Sequence, residues 1–419
     1  MSDLALTSGR STTPWTCPFC PLLCDRFGVD TAAAPWALTG SDCGRARAAV
    51  ARFGAGVPPV RPMIDGVACD AQAAIAAAAQ ILAASRQPLF GGLGTDVAGA
   101  RALYPLACRS GAICDPAGGA ALWHGLRALQ DRGGFTTTLA EVRTRADLIV
   151  CLGALPSERF PEFLRRCGAG EGGSKQVLVL QAGAEVQTGS ASAGIEVLPF
   201  DGDLFEAVAM LAAQVAGRAV GDGSGPLPAL ATRLKSARYA VLVYETARLP
   251  AQGALIIEGI NRIVATLNQS NRAAAFPLGG ADGASTVNAV FTWLSGLPLR
   301  TRASPLGLEH EPLRFDAQRL LADHAVDALL WIASFGTEPP PPFTDVPRIV
   351  LAHPSFATAV QGAATVFIPV TTPGIGSAGH LFRTDGSVLM PLRALHDDGL
   401  PTVAEVLRRL LQAMPGGAA

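Results

Sequence analysis

Apolar residues fall along this chain in two rhythms, one helical and one continuous, and from residue 61 onward the two alternate. Asp70–Ser85 is rich in alanine and puts Ile75, Ile81 and Leu82 on one side of a helix. Pro88-Leu-Phe leads into Gly91-Gly-Leu-Gly-Thr-Asp96, after which Val97–Arg109 resumes a helical pattern. Ala112-Ile-Cys-Asp115 reads as a short strand. Asp147–Gly153, Gln176–Leu180 and Ala240–Tyr244 carry unbroken apolar runs, as expected of strands buried on both faces of a parallel sheet. Glu162–Arg166 and Leu204–Val215 fit the crossover helices. Ala251–Gln269 is a long amphipathic helix with Leu255, Ile256, Ile260, Ile263, Val264 and Leu267 on its buried stripe. Asp316–His324 suits a helix, Asp327–Ala333, Pro347–Leu351 and Ala364–Val370 suit strands, and Thr402–Leu411 suits a last helix. Gly221–Pro228 and Pro339–Pro342 read as loops. The alternation predicts an α/β fold of parallel sheets covered on both faces.

Residues 1–60 break the rhythm. Pro14, Pro18 and Pro21 interrupt any helix, so this stretch is read as a small cysteine-rich module with little regular structure. Pro58, Pro59 and Pro62 mark its boundary. Charged residues make up only 16% of the 419, against a usual share of about 25%. A surface so poor in charge suggests protein partners, because obligate interfaces are apolar. A net charge of −1 favours neither nucleic acid nor an anionic membrane. No run of about 18 apolar residues predicts a membrane span. The first ten residues do not resemble a secretory signal, so the protein is read as cytoplasmic. Clustered cysteines then mean metal or catalysis rather than disulfides.

Cys17, Cys20, Cys24 and Cys43, spaced C-x2-C-x3-C-x18-C, are the most specific feature of the chain. Three sulfurs on one short loop and a fourth from a neighbouring turn could bind a 4Fe–4S cluster or tetrahedral zinc, or the set could stand vacant. Cys69, Cys108, Cys114, Cys151 and Cys167 are scattered in apolar contexts and read as small buried hydrophobes. The Gly91–Asp96 turn could bring backbone N–H groups to a phosphate, or be a plain strand-to-helix loop. His124 is polar in an apolar setting, and the other histidines show no ligand spacing. No H-E-x-x-H, G-x-S-x-G or Walker motif occurs.

The cysteine block ahead of α/β segments resembles the molybdenum/tungsten bis-pterin oxidoreductases, and more closely the B subunit of formylmethanofuran dehydrogenase. The resemblance extends through Thr138–Val150, Gly153–Pro161, Val287–Pro298 and Gly379-His-Leu-Phe-Arg-Thr-Asp-Gly386. It implies a small Fe–S-type domain over 1–60 and two doubly wound α/β domains. One of these is built from 61–135 with 305–419, and the other is inserted as 136–304. In that family a Cys or selenocysteine within Cys-His-Gly grips the metal. Here the matching position is Trp123, followed by His124-Gly125. An indole offers no lone pair to a soft metal, and its bulk would fill the metal's space. The segment Pro277–Ala284 is short of the basic groups that hold pyrophosphate, and lysine occurs only at Lys175 and Lys235.

This pattern is similar to the B subunit of the bacterial formyltransferase/hydrolase complex. The resemblance implies a non-catalytic scaffold with a degenerate redox site and no Mo/W pterin. Its partners would be the A subunit (zinc amidohydrolase-like), the C subunit, and the D subunit (formyltransferase). A methanofuran-like coenzyme, bound by these other subunits, would carry formyl groups from a tetrahydromethanopterin carrier towards formate. The alternative is an active W/Mo-pterin dehydrogenase subunit with a 4Fe–4S cluster.

Overall fold

The computed structural model describes residues 14–54, 60–169, 175–182, 194–221, 223–280, 282–360, 362 and 364–415. Pro58 and Pro59 of the expected boundary lie outside the described residues. The chain forms two compact units: Met1–Ala117 with Ala281–Leu381 and Leu389–Ala419, and Gly118–Gly280 with Phe382–Val388. Both are α/β.

In the first unit, nine strands form one sheet in the order Gly307–His310, Thr301–Ser304, Ile113–Cys114, Pro88–Gly94, Ala328–Ala333, Arg348–Ala352, Thr365–Pro369, Met63–Ile64 and Val67–Ala68. The five from Ile113–Cys114 to Thr365–Pro369 run parallel. Every residue of Pro88–Gly94 is buried, and its glycines make room for one ring: a Cβ on Gly91 would lie 2.9 Å from the Trp331 indole. Gly92 and Leu93 both take positive φ, +71° and +58°. The register against Ala328–Ala333 shifts at this point, so the strand kinks just before its carboxyl end. The Val97–Ser110 helix opens on Asp96 as N-cap and stops at left-handed Gly111. The Val403–Ala413 helix starts on a Thr402/Glu405 capping box and packs against Val97–Ser110 and Ala71–Ala84.

The cysteine stretch belongs to this unit. It holds the antiparallel pair Gly28–Asp30/Ala37–Thr39 and the helix Gly44–Val50, slightly more regular structure than the prolines suggest. A chain of rings anchors it. Trp15 contacts Phe19, Phe19 contacts Phe53, and Phe53 meets His353 edge-on at 4.9 Å. Trp36 meets His396 edge-on at 4.7 Å, and Trp15 Nε1 donates to the Gly374 carbonyl at 2.7 Å.

The second unit is a five-stranded all-parallel sheet, ordered Arg272–Leu278, Tyr239–Glu245, Leu148–Leu152, Gln176–Ala182, Ile195–Phe200. Its core runs through Val150, Leu178, Leu242, Ile256, Ile260 and Leu267. The Gly253–Leu267 helix corrects the expected stripe: Leu255 is 44% exposed and Ile257 is buried. Helices Gly119–Arg132 and Leu204–Val215 both pack against this helix, which widens its buried face on the Ile257 side. Lys175 closes the Leu139–Arg145 helix, donating to the Val142 and Ala146 carbonyls at 3.1 and 2.6 Å.

Periodicity did not assign Ile195–Phe200, Arg272–Leu278, Gly119–Arg132, Leu227–Ser236 or Ala284–Ser295. Arg272–Leu278 has three small alanines among its seven residues and a proline, and Ile195–Phe200 lies at a sheet edge, so neither carries a run of large apolar side chains. No helix among the described residues is long and apolar enough to cross a membrane.

Candidate cofactor sites

Cys17, Cys20, Cys24 and Cys43 are all buried in the first unit, at 3%, 9%, 7% and 7% exposure. Proline keeps their loop out of helix, and two backbone bonds close it: Cys17 N–H to the Cys24 carbonyl and Leu23 N–H to the Cys20 carbonyl, both 2.9 Å. Leu23 takes φ +45° to make that turn. Cys43 is the N-cap of Gly44–Val50, its Sγ accepting the Ala46 N–H at 3.5 Å. Burial pushes the Cys17 thiol well up, and the nearby thiols of Cys24, Cys20 and Cys43 push it further. Burial likewise takes Cys20 to about 12, against the pull of the Leu22 backbone and the Arg45 guanidinium. Cys17 and Cys20 therefore hold their protons when free, and only a bound metal would turn them into thiolates.

Among the described residues no three His, Cys, Asp or Glu side chains converge to hold a single metal ion. One zinc needs each sulfur about 2.3 Å from a common point, whereas a four-iron cluster spreads its thiolates around a larger body. Four buried cysteines supply thiolate donors of the kind that either group takes. A cluster there would supply one-electron capacity or a purely structural staple.

Trp123 and His124 belong to the second unit, on the Gly119–Arg132 helix, both half-buried. The His124 ring lies against the first turn of Gly253–Leu267, where a Cβ on Gly253 would come within 2.6 Å of Cδ2. No thiol occupies the position that a metal-ligating Cys-His-Gly would give.

Each parallel sheet has a point where the strand order reverses, the usual crevice for a ligand in open α/β folds. In the first unit it lies between Pro88–Gly94 and Ala328–Ala333. Asp96, 6% exposed, turns its carboxylate onto the helix it caps, accepting from Gly99 N–H at 3.0 Å and from His380 N–H at 3.3 Å. Glu338, also 6% exposed, lies over the strand end: a Cβ on Gly94 would collide with its Oε1. Its oxygens accept from Phe335 and Thr337 N–H at 2.7 and 3.0 Å. Burial, helped by the Asp282 charge, raises its pKa to about 8. Asp282 itself pairs with Arg45 at 3.6 Å and accepts from Thr337 Oγ1 at 3.0 Å. The Gly91–Asp96 turn thus meets carboxylates of its own chain.

In the second unit the reversal lies between Leu148–Leu152 and Tyr239–Glu245. Glu245, 5% exposed, has ion-pair contacts with Arg248 at 3.5 Å and Arg159 at 3.8 Å. Neither of its carboxylate oxygens has a hydrogen-bond partner, and burial raises its pKa. Asp385, in the returning segment Phe382–Val388, accepts from Leu139 N–H at 3.0 Å and pairs with Arg383 at 2.7 Å. The sequence reading missed the Asp96–Glu338–Asp282 and Glu245 groups. Asp96 and Glu338 stand 242 positions apart, so no spacing could link them. Of the remaining cysteines, 114, 151 and 167 are buried as expected, Cys69 is half-buried and Cys108 is exposed.

Searched against protein-family models, the chain has no match. It is 30% identical over 357 residues to the B subunit of the formyltransferase/hydrolase complex Fhc of Methylorubrum extorquens, covering 83% of this chain and 96% of that protein. It is 25% identical over 437 residues to the B subunit of a tungsten-containing formylmethanofuran dehydrogenase 2 of Methanocaldococcus jannaschii, covering 94% of this chain and 97% of that protein. A chain of the crystal structure of the Methylorubrum extorquens formyltransferase/hydrolase complex (FhcABCD) with methylofuran matches with a TM-score of 0.74 at 30% identity, over 84% of this chain and 98% of that one. This coverage at this identity settles kinship: the chain belongs to the family of Fhc B subunits, which is related to the B subunits of formylmethanofuran dehydrogenases.

Proposed function

We propose that this chain is the non-catalytic scaffold subunit of a cytoplasmic formyltransferase/hydrolase complex. In this reading the D subunit moves the formyl group from a tetrahydromethanopterin carrier to a methanofuran-like coenzyme, and the A subunit releases it as formate. The assembly is completed by the C subunit. The observation that carries the proposal is Trp123, an indole where a metal-gripping sulfur would stand. Asp96 and Glu338 at the first unit's strand-order reversal support it, since their side chains occupy the strand end and engage backbone N–H donors there, which a pterin dinucleotide's phosphates would need. The residues there do not fit that cofactor.

The N-terminal module would keep a 4Fe–4S cluster on Cys17, Cys20, Cys24 and Cys43 as a staple. Elemental analysis of the anaerobically purified complex tests both parts. We expect about four irons per copy of this chain, with no molybdenum or tungsten. Stoichiometric tungsten or molybdenum with pterin would overturn the scaffold role.

A second reading, an active dehydrogenase subunit, is favoured by the intact, buried cysteine set and by the tungsten-containing relative. Viologen-linked oxidation of a formylated methanofuran-type coenzyme by the purified complex would establish it.

A further inference from the structure

The strand-order reversal of the first unit is the place where an open α/β sheet normally opens a crevice for a ligand. Three features there act together. The helix that starts at Val97 has its Gly99 N–H taken by the side chain of its own cap, Asp96, so one of the amides that could attract a phosphate is already engaged. Glu338 lies across Gly94, close enough that even a methyl group on that glycine would collide with its carboxylate. Gly283 closes the side: a Cβ there would strike the Thr95 carbonyl oxygen, so the turn before Ala284–Ser295 is seated on the strand-to-helix connection. Gly379 approaches Asp96 in the same way, with its Cβ position 2.7 Å from Oδ2. Glycine at 94, 283 and 379 is thus used to bring the chain's own polar groups together rather than to admit a foreign one.

We propose that this crevice is permanently filled by the side chains of Asp96 and Glu338, which occupy the positions that the phosphates of a dinucleotide would take. The proposal rests on the scaffold reading and deepens it, since it names what replaces the lost ligand. The two carboxylates are satisfied by backbone N–H donors of the loops they join: Gly99 and His380 on Asp96, Phe335 and Thr337 on Glu338. Through these donors the two side chains tie the 94–96, 335–338 and 379–380 segments together as a bound phosphate otherwise would. Burial keeps Glu338 largely protonated near neutral pH, which removes the cost of a second bare charge beside Asp282.

Hydrogen exchange on the purified complex tests this, with inorganic pyrophosphate as probe. In the wild type, millimolar pyrophosphate should leave amide exchange across 91–99 and 334–338 unchanged. In Glu338→Ala, which removes both bulk and charge, the same titration should slow exchange over 91–99. Slowed exchange in the wild type would overturn the proposal, as would a folded Glu338→Ala that responds no more than the wild type. Should Glu338→Ala fail to fold, Glu338→Gln keeps the shape and removes only the ionisable proton; if it binds no pyrophosphate and its exchange without ligand matches the wild type, the filled crevice stands, and pyrophosphate protection of the wild type alone still refutes it. The scaffold reading fails on a different measurement, tungsten or molybdenum content. A metal-free complex that nevertheless protects these segments would refute the filled crevice and leave the scaffold intact.

Discussion

At the scale of single residues, Glu338 holds its proton far more tightly in the folded chain than a free carboxyl does: about 8 against 4.5. Between those values the folded state keeps a proton that the unfolded chain has lost. Stability therefore falls as pH rises through that window, by at most about 1.4 kcal/mol per pH unit. Urea midpoints of the wild type and Glu338→Gln should converge near pH 4.5 and separate as pH rises, with the variant flatter. The comparison isolates Glu338, because His353, pushed down to about 4 by burial and by Arg52, acts oppositely: its contribution is lost as pH falls below 6.5. Two other acidic residues make a contrast. Arg300 is buried and forked onto Asp115 at 3.0 and 3.3 Å. Asp115→Ala leaves that guanidinium with Asp316 as its one acidic partner, beside the Pro312 carbonyl, and should cost about 3–5 kcal/mol of stability by denaturant unfolding. Glu245 accepts no hydrogen bond and sits between two half-exposed arginines. Glu245→Gln should shift stability by only about 1 kcal/mol in either direction.

At the scale of elements, the cysteine loop and its helix are held by sulfur and aromatic contacts, with few strand hydrogen bonds. If a cluster staples this module, Cys17→Ser with Cys20→Ser should abolish assembly of the complex, read by co-purification of the other subunits. Normal assembly would mark a vacant site. The elements easiest to read in the sequence were those buried on every side, such as Leu148–Leu152 and Ala328–Ala333, where burial forces an unbroken apolar run. The Gly119–Arg132 helix, which carries Trp123, escaped because only Gly119 and Ala128 are buried along it. With so little inward surface there is no strong helical rhythm to find.

At the scale of the whole molecule, low charge and exposed apolar side chains point the same way. Leu306 and Phe343 are each 93% exposed, and Trp293 and Leu313 are 62% exposed, all in the first unit. Such residues suit surfaces that other subunits cover. The chain produced alone should aggregate, and co-expression with its partners should restore solubility; a monodisperse lone monomer by light scattering would count against the scaffold role. Sequence alone determined the α/β class, the spacing of the cysteine set and the indole at position 123. These depend on local periodicity, short spacing and the chemistry of one side chain, all of which survive in one dimension. Only the tertiary structure decided that Asp96 and Glu338 both lie at the carboxyl end of Pro88–Gly94 and that Glu245 lies between two arginines. Parallel strands joined by long crossovers bring together residues hundreds of positions apart, and no pattern along the chain records which strand lies next to which.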